Sequence, residues 1–599
     1  MTSSELAAFY QKRKTDFGIS LSKVSTQINT VSNFRIFIAV VFLILLYFAF
    51  STPYIFLLFI LEIPVAIAFT ILVLKHSSLY DQKIHLENLV KINQIEERSL
   101  AGDISGLDAG LEFIDPLHPY THDLDIFGDG SLFQSINRCN TTQGKKYMAQ
   151  RLSHSSFLPA EIDAQHQAVQ ELKSETDFRQ HFQASGMEIN ENSGDYQQLL
   201  HWVKQSPFIY SSLFYKYILT ILPLVTIGLV VAAFFSTAFR PFAILLAISQ
   251  WAILGLNLKK VNAFHESISQ KKNILEKYAR LLHYFQKENF SSPVLKELRS
   301  RAHEADVKVK SLASLVSSLN ARLNALTNLF VNSLFMYDLQ YVYRLEKWKH
   351  QNAENLKMWL DVIRDTEVLC SLGTFAFNHP SFTYPEISST LNIKAVGLGH
   401  PLIQPDECIV NDVHIGRGQS VLIITGANMA GKSTFLRTIG VNLVLALTGA
   451  PVFAKEFSCP VINIRSGMRT ADSLKDHQSY FYAELNRLKI IMDELRSDKP
   501  LFILLDEILK GTNSTDKQSG SIALVKQLIP HPCLALIATH DLALGELEKE
   551  YPDQIKNYCF EANIENDQLS FDYKLKRGLA QKMNATFLMR KMGIIGSAC

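Results

Sequence analysis

Residues 421–434 read Val-Leu-Ile-Ile-Thr-Gly-Ala-Asn-Met-Ala-Gly-Lys-Ser-Thr, and no other stretch narrows the possible folds so far. Four β-prone apolar residues and Thr425 run into a G-x-x-x-x-G-K-S sequence from Gly426 to Ser433. Phe435 to Leu447 then reads as a helix. Strand, glycine-bounded turn and helix together are the context in which this motif holds a nucleotide. Gly426 and Gly431 let the backbone curl so that successive N–H groups converge on phosphate oxygens, where side chains would obstruct. The helix N-terminus adds its dipole to the same anion site. The candidate nucleotide loop is therefore Gly426, Ala427, Asn428, Met429, Ala430, Gly431, Lys432, Ser433 and Thr434. Lys432 would bring a point charge to the β- and γ-phosphates, and the Ser433 hydroxyl is placed to ligate Mg²⁺.

A second run completes the pattern. Pro500 to Leu505 is short, apolar and strand-like, and it ends in Asp506 and Glu507. In a parallel α/β sheet such a strand is buried on both faces, which explains its unbroken apolar character. Asp506 would hold the Mg²⁺ through water, and Glu507 would polarise an attacking water as general base. The cofactors implied are ATP and Mg²⁺.

At 599 residues the chain has room for three or four domains. A net charge of +2 gives no electrostatic case for nucleic acid as the partner. The seven cysteines are scattered, odd in number and never spaced C-x-x-C, which points to a reducing compartment without disulfides or a zinc site.

Composition changes abruptly after a polar N-terminal stretch carrying Lys12, Arg13, Lys14 and Lys23. Ile36 to Phe50 is uninterrupted apolar; Ser51-Thr52-Pro53 reads as a turn; Tyr54 to Leu74 is apolar apart from Glu62, Pro64 and Thr70. Tyr217 to Phe239 and Phe242 to Leu258 form a similar pair around Arg240-Pro241. Their lengths suit two transmembrane hairpins. Arg35, Lys75, Lys216, Lys259 and Lys260 crowd the outer ends, and the positive-inside rule then puts both termini and the middle in the cytoplasm. The expected location is the cytoplasmic (inner) membrane, multi-pass, with the lipid bilayer as a partner. Glu62 is an intramembrane carboxylate, for which snorkelling to the interface is the preferred reading.

The organisation expected is a cytosolic helix (1–33), hairpin 1 (34–76), a first part of a helical core (77–215), hairpin 2 (216–260), a second helical part or lever (261–385) and an α/β domain (386–599). Leu79 to Leu100, Ser131 to Leu152 and Pro159 to Leu172 have helical periodicity; Lys259 to Glu288, Ser291 to Leu345 and Glu354 to Leu372 are long helix-like stretches with charged faces.

From about Asp123 onward the chain resembles the MutS family of DNA mismatch-repair ATPases, and especially its membrane-associated relatives. The resemblance rests on ordered motifs: TGANMAGKSTFLR at 425–437, Arg469-Thr-Ala-Asp472 followed by Gln478-Ser479-Tyr-Phe481-Tyr-Ala-Glu484, LLDEILKGTNSTD at 504–516, and Ala538-Thr539-His540. Phe571-Asp-Tyr573-Lys-Leu575 to Gly593-Ile594 is similar to the family's closing hairpin and helix; His400-Pro401-Leu402 and Asn411-Asp412 are similar to its lead-in.

With the two hairpins read above, that resemblance gives the expected fold, an α+β multidomain protein: two transmembrane helical hairpins, a helical core or lever domain, and a C-terminal α/β P-loop ATPase domain, ABC-like and of MutS type. It implies a homodimer through the ATPase domains and a composite catalytic set of Glu507, Lys432, His540 and Ser479. Ser479 would reach the partner's γ-phosphate, His540 would sense the γ-phosphate, and Thr512 with Asn513 would line the interface. DNA enters as a partner by the same resemblance.

The departures are equally informative. A membrane hairpin occupies the region of the family's mismatch-reading domain, and Phe9-Tyr10-Gln11 lacks the wedge glutamate. The lead-in shows no aromatic for the adenine; His414 and Val410 are candidates by proximity in sequence. Two readings result: a membrane-anchored, ATP-dependent DNA clamp, or a membrane ATPase acting on a protein or bilayer client. An ATP-binding-cassette transporter is disfavoured, because no L-S-G-G-Q segment lies between the two ATP motifs.

Overall fold

The computed structural model describes residues 2–51, 55–154, 157–188, 190–192, 194–323, 325–427, 429–469, 480–497, 499–565, 568–581 and 594. Ser479, Asn428, the 470–478 stretch and the segment ending at Gly593 fall outside them.

The polar N-terminal stretch and the first apolar run form one helix, α1 (Ser3–Ser51), with no proline to interrupt it. It is antiparallel to α2 (Ile55–Leu100), which accommodates Pro64. Ile28 and Val31 pack on Leu79 in the polar stem of this hairpin. The second hairpin is α8 (Leu213–Phe235) and α9 (Arg240–Ile268), with Pro241 in the first turn of α9, where its missing N–H costs nothing. Each of these four helices contains a stretch long and apolar enough to cross a membrane. In those stretches only 6%, 6%, 17% and 22% of positions, in chain order, are buried. Their apolar side chains therefore face outward, the reverse of a soluble core. Glu62, expected from the sequence to snorkel to an interface, is 7% exposed.

Between and after the hairpins lie α3 (Leu132–Ile136), α4 (Thr142–Ser153), α5 (Pro159–Ser174), α6 (Thr176–Met187), α7 (Asp195–Lys204), α10 (Lys272–Lys287), α11 (Pro293–Arg301), α12 (Ala305–Asn320), α13 (Ala325–Phe335) and α14 (Tyr337–Asn378). The stretch read as one long helix from Ser291 to Leu345 is thus four helices. Two of its breaks fall where Glu304 and Met336 take left-handed backbone, φ 57° and 50°. The 42-residue α14 is the axis of this region, packing on α4, α5 and α12 along its length. Its end is tied to the first hairpin by buried polar contacts: Tyr10 Oη donates to Asn378 Oδ1 at 2.6 Å, and Asn378 Nδ2 donates to Glu96 Oε2 at 2.8 Å. Arg138 completes the cluster with its Nε on Glu96 Oε1 at 2.5 Å. Such fully enclosed ions persist only when paired and hydrogen-bonded.

Two sheets follow. The smaller is ordered β1 (Glu386–Ser388), β5 (Glu456–Pro460), β2 (Ile393–Leu398), β3 (Asn411–Ile415). The larger is ordered β10 (Gln568–Arg577), β9 (Ile555–Glu565), β4 (Val421–Gly426), β8 (Cys533–Thr539), β7 (Leu501–Asp506), β6 (Asn463–Gly467). All its neighbours are parallel except β10 on β9. β4 and β8 are wholly buried, as their unbroken apolar sequences require. The crossover helices α15 (Lys432–Thr448), α16 (Tyr480–Leu495) and α17 (Ser514–Leu528) connect these strands.

Candidate nucleotide-binding site

The carboxyl ends of β4, β7 and β8 bring the sequence motifs together. Between β4 and α15, Gly426 has φ 150° and Gly431 φ 103°. A Cβ on Gly426 would lie 2.5 Å from the Phe560 carbonyl oxygen, so no larger residue fits this turn. Gly431 caps α15 in left-handed backbone, directing the first N–H groups of that helix into the cleft. Ala427 and Ala430 are buried beneath the loop, whereas Met429 is exposed with φ 68°. Asn428 lies outside the described residues.

Lys432 is 5% exposed, and its Nζ donates to Gly426 O at 2.7 Å and Ala427 O at 2.9 Å. Burial lowers its pKa to about 8, against the Glu507 and Asp506 carboxylates, which favour the charged form. Ser433 Oγ donates to Asp506 Oδ2 at 2.5 Å, joining the two expected metal-holding groups. A hydroxyl and a carboxylate at the start of a helix and the end of a strand are hard oxygen donors of the kind Mg²⁺ takes. The glycine cradle and this donor pair thus fit a Mg²⁺-bound triphosphate.

Glu507 directly follows β7 in left-handed backbone, φ 54°, where a side chain is strained. Its N–H donates to Ala538 O of β8 at 2.9 Å, which fixes that turn. His540 follows β8, and its Nε2 lies 2.6 Å from Glu507 Oε1 and 3.4 Å from Lys432 Nζ. The hydrogen bond from His540 is the chief reason Glu507 sits far below the usual carboxylate range, at about 2. Lys432, Ser433, Asp506, Glu507 and His540 therefore share one site; Ser479 lies outside the described residues. Thr512 precedes Asn513, which caps α17 by accepting from Asp516 N at 2.9 Å.

Three features were not legible as site features in the sequence. Glu484, in the second turn of α16, accepts from the backbone N–H of Leu509 at 2.5 Å and of Lys510 at 3.1 Å. It thereby holds the loop that carries Glu507, and Leu509 in that loop is also left-handed, φ 61°. Asp123, fully buried, accepts from Ser466 Oγ (2.8 Å), Met468 N (3.0 Å), Arg469 N (3.0 Å) and Arg487 Nη2 (2.8 Å). A loop of the helical part is thus built into the end of β6. Finally, the cleft of about 430 Å³ is walled by Leu398, His400, Ile403, Ile409, Phe560 and Tyr573 beside the nucleotide loop. Its Phe and Tyr rings beside the loop come from β9 (Phe560) and β10 (Tyr573). A register shift between Phe571 and Leu575 and a φ of 51° turn Tyr573 inward, and Asn411 holds that bulge by donating to Tyr573 O (3.0 Å) and accepting from Leu575 N (2.8 Å). His414 instead meets Gln419 on another cavity, and Val410 contributes its carbonyl to Lys574 Nζ at 2.7 Å, so neither fills the role suggested by proximity.

The class defined here is an α/β domain with a nucleotide loop, a carboxylate pair and a strand-end histidine at one edge of a parallel sheet. Residues 422–593 match MutS domain V. It is 30% identical over 239 residues to the DNA mismatch repair protein MutS of Thermotoga maritima, covering 39% of this chain and 30% of that protein. It is 29% identical over 287 residues to MutS protein homolog 4 of Mus musculus, covering 46% and 29%. With MutS of Clostridioides difficile the match is 24% over 333 residues, covering 54% and 32%. The chain thus spans about a third of the length of these relatives.

Proposed function

We propose that this protein is a membrane-anchored MutS-like ATPase that hydrolyses ATP to ADP and phosphate at a site completed by a second copy of the chain. The observation that carries this reading is the convergence of Ser433 on Asp506 and of His540 on both Glu507 and Lys432 at one edge of the sheet.

The backbone N–H groups ahead of α15 and the Lys432 ammonium bind the phosphates and stabilise charge as it develops on them. Ser433 and Asp506 would hold Mg²⁺, which supplies charge neutralisation to the triphosphate when bound. Glu507, ionised throughout the physiological range, accepts a hydrogen bond from the attacking water and orients it in line. His540 fixes the Glu507 carboxylate, and Tyr573 offers a ring face to the base. Ser479, carried over by resemblance, would act across the dimer on the partner's γ-phosphate. The four outward-apolar helices support anchoring in the cytoplasmic membrane with the helical and ATPase parts in the cytoplasm.

Two of the three relatives are DNA mismatch repair proteins by name, and DNA is the client we infer, bound through its phosphates in an ATP-dependent way. The near-neutral charge favours a second reading, a protein or bilayer client without DNA. Solubilised Glu507→Gln protein with ATP and Mg²⁺, titrated with homoduplex, mismatched and branched DNA across a salt series, separates the two. Salt-sensitive, nucleotide-dependent binding supports the clamp. No binding at low salt assigns the ATPase another client.

A further inference from the structure

The stretch Leu323 to Met336 contains no charged residue, and its helix α13 is folded inside out. Asn332 is 2% exposed, whereas Leu329 is 51%, Phe330 65% and Phe335 45% exposed. The polar groups face inward: Asn332 Nδ2 donates to Asn328 Oδ1, Asn332 Oδ1 accepts from Asp338 N at 3.0 Å, and Ser333 Oγ accepts from Trp251 Nε1 of α9 at 2.9 Å. Gln250 of α9, buried at 1%, lies 2.5 Å from Thr226 Oγ1 of α8 and 3.2 Å from the carbonyl oxygens of Asn332 and Ser333, with its nitrogen turned to those carbonyls. A helix in water buries its apolar face and exposes its polar one. This helix does the opposite, and so do α8 and α9, on which it packs.

Its depth can be read from the same contacts. Gln340, in the first turn of α14, donates to Leu219 O near the start of α8 at 2.6 Å. Thr226, at the level of Ser333, lies about 10 Å further along α8 by the helix rise. Gln250 and Trp251 fall near the middle of the apolar stretch of α9. Both ends of α13 nevertheless return to one side. Arg322, just before it, pairs with Asp338, just after it, at 2.9 Å and reaches Asn262 of α9, beyond Lys259 and Lys260, at 2.9 Å. An 11-residue helix, about 16 Å long, is too short to cross hydrocarbon some 30 Å thick.

We infer that α13 is a third membrane element, a helix that dips into the near leaflet beside α8 and α9 and lays Leu329, Phe330 and Phe335 against lipid acyl chains without crossing. The occupant of this face is the bilayer, because the face is continuous with the exposed apolar surface of the second hairpin and shares its polar-inward packing. This rests on the membrane reading of that hairpin. In consequence α14, which begins directly after α13 and runs to the ATPase part, starts at the bilayer.

The test places single added tryptophans, Phe330→Trp or Leu329→Trp on α13, Leu224→Trp on the outward face of α8 and Val307→Trp on α12, in protein reconstituted into vesicles with brominated acyl chains. The quantity read is quenching of the emission added over the parent protein. The inference expects at least twofold quenching at 330, 329 and 224, and none at 307. Quenching at 224 with 329 and 330 behaving like 307 overturns it while leaving the hairpin in the membrane; a second copy or another protein covering the face would give that result. No quenching at 224 overturns the membrane reading and this inference together.

Discussion

Lys432 and Glu507 are displaced in opposite senses from their ordinary acid–base behaviour, and each displacement is testable. Burial holds Lys432 down at about 8, so in the nucleotide-free protein its charge is present below that value and lost above it. ATP affinity should then fall about tenfold between pH 7 and pH 9, if only the ammonium form binds; an unchanged Kd would contradict the role of the charge. Glu507, held at about 2 by His540, stays ionised at every pH where the protein works, so the acid limb of turnover should not move in a Glu507→Asp variant. Glu507→Gln should cut kcat by about a hundredfold or more with ATP binding retained, the scale of a lost catalytic proton acceptor. Turnover at the wild-type rate would remove Glu507 from the mechanism. Tyr573→Ala should raise KM for ATP with kcat little changed, because stacking on the base is equal in ground and transition states.

Among the elements, the strands and the nucleotide loop were readable because the chemistry is local: apolar run, glycine, glycine, lysine and serine lie within fourteen consecutive positions. The contacts that position them were not, because they join distant parts of the chain. Asp123 meets Arg487 across 364 residues, and Asn411 meets Tyr573 across 162. No periodicity reports such pairs, and the left-handed turn at Tyr573 occurs at a residue type that seldom marks one. The same holds for α13: its lack of charge is visible in sequence, but its inward asparagines become meaningful only against α8 and α9. Asp123→Ala should be costly, on the order of 3–5 kcal/mol, since it leaves Arg487 and three other donors without their acceptor. A thermal midpoint within a degree of the parent would show the loop docks by other means. Glu484→Ala should lower kcat more than it changes KM, by loosening the loop that carries Glu507.

As a whole, the molecule joins outward-apolar helices to an ATPase part through buried polar contacts at Glu96, Arg138, Tyr10 and Asn378 and through the long axis of α14. On the proposed reading, these contacts link the nucleotide site to the outward-apolar helices. In the same reading, ATP closes two copies of this chain around a shared site. This closure is tested most directly by the mass of Glu507→Gln protein in detergent, by light scattering with and without ATP and Mg²⁺. The mass should double with ATP and return to its starting value when Lys432→Ala is added to block binding. A species that stays monomeric with ATP bound at saturation would contradict it.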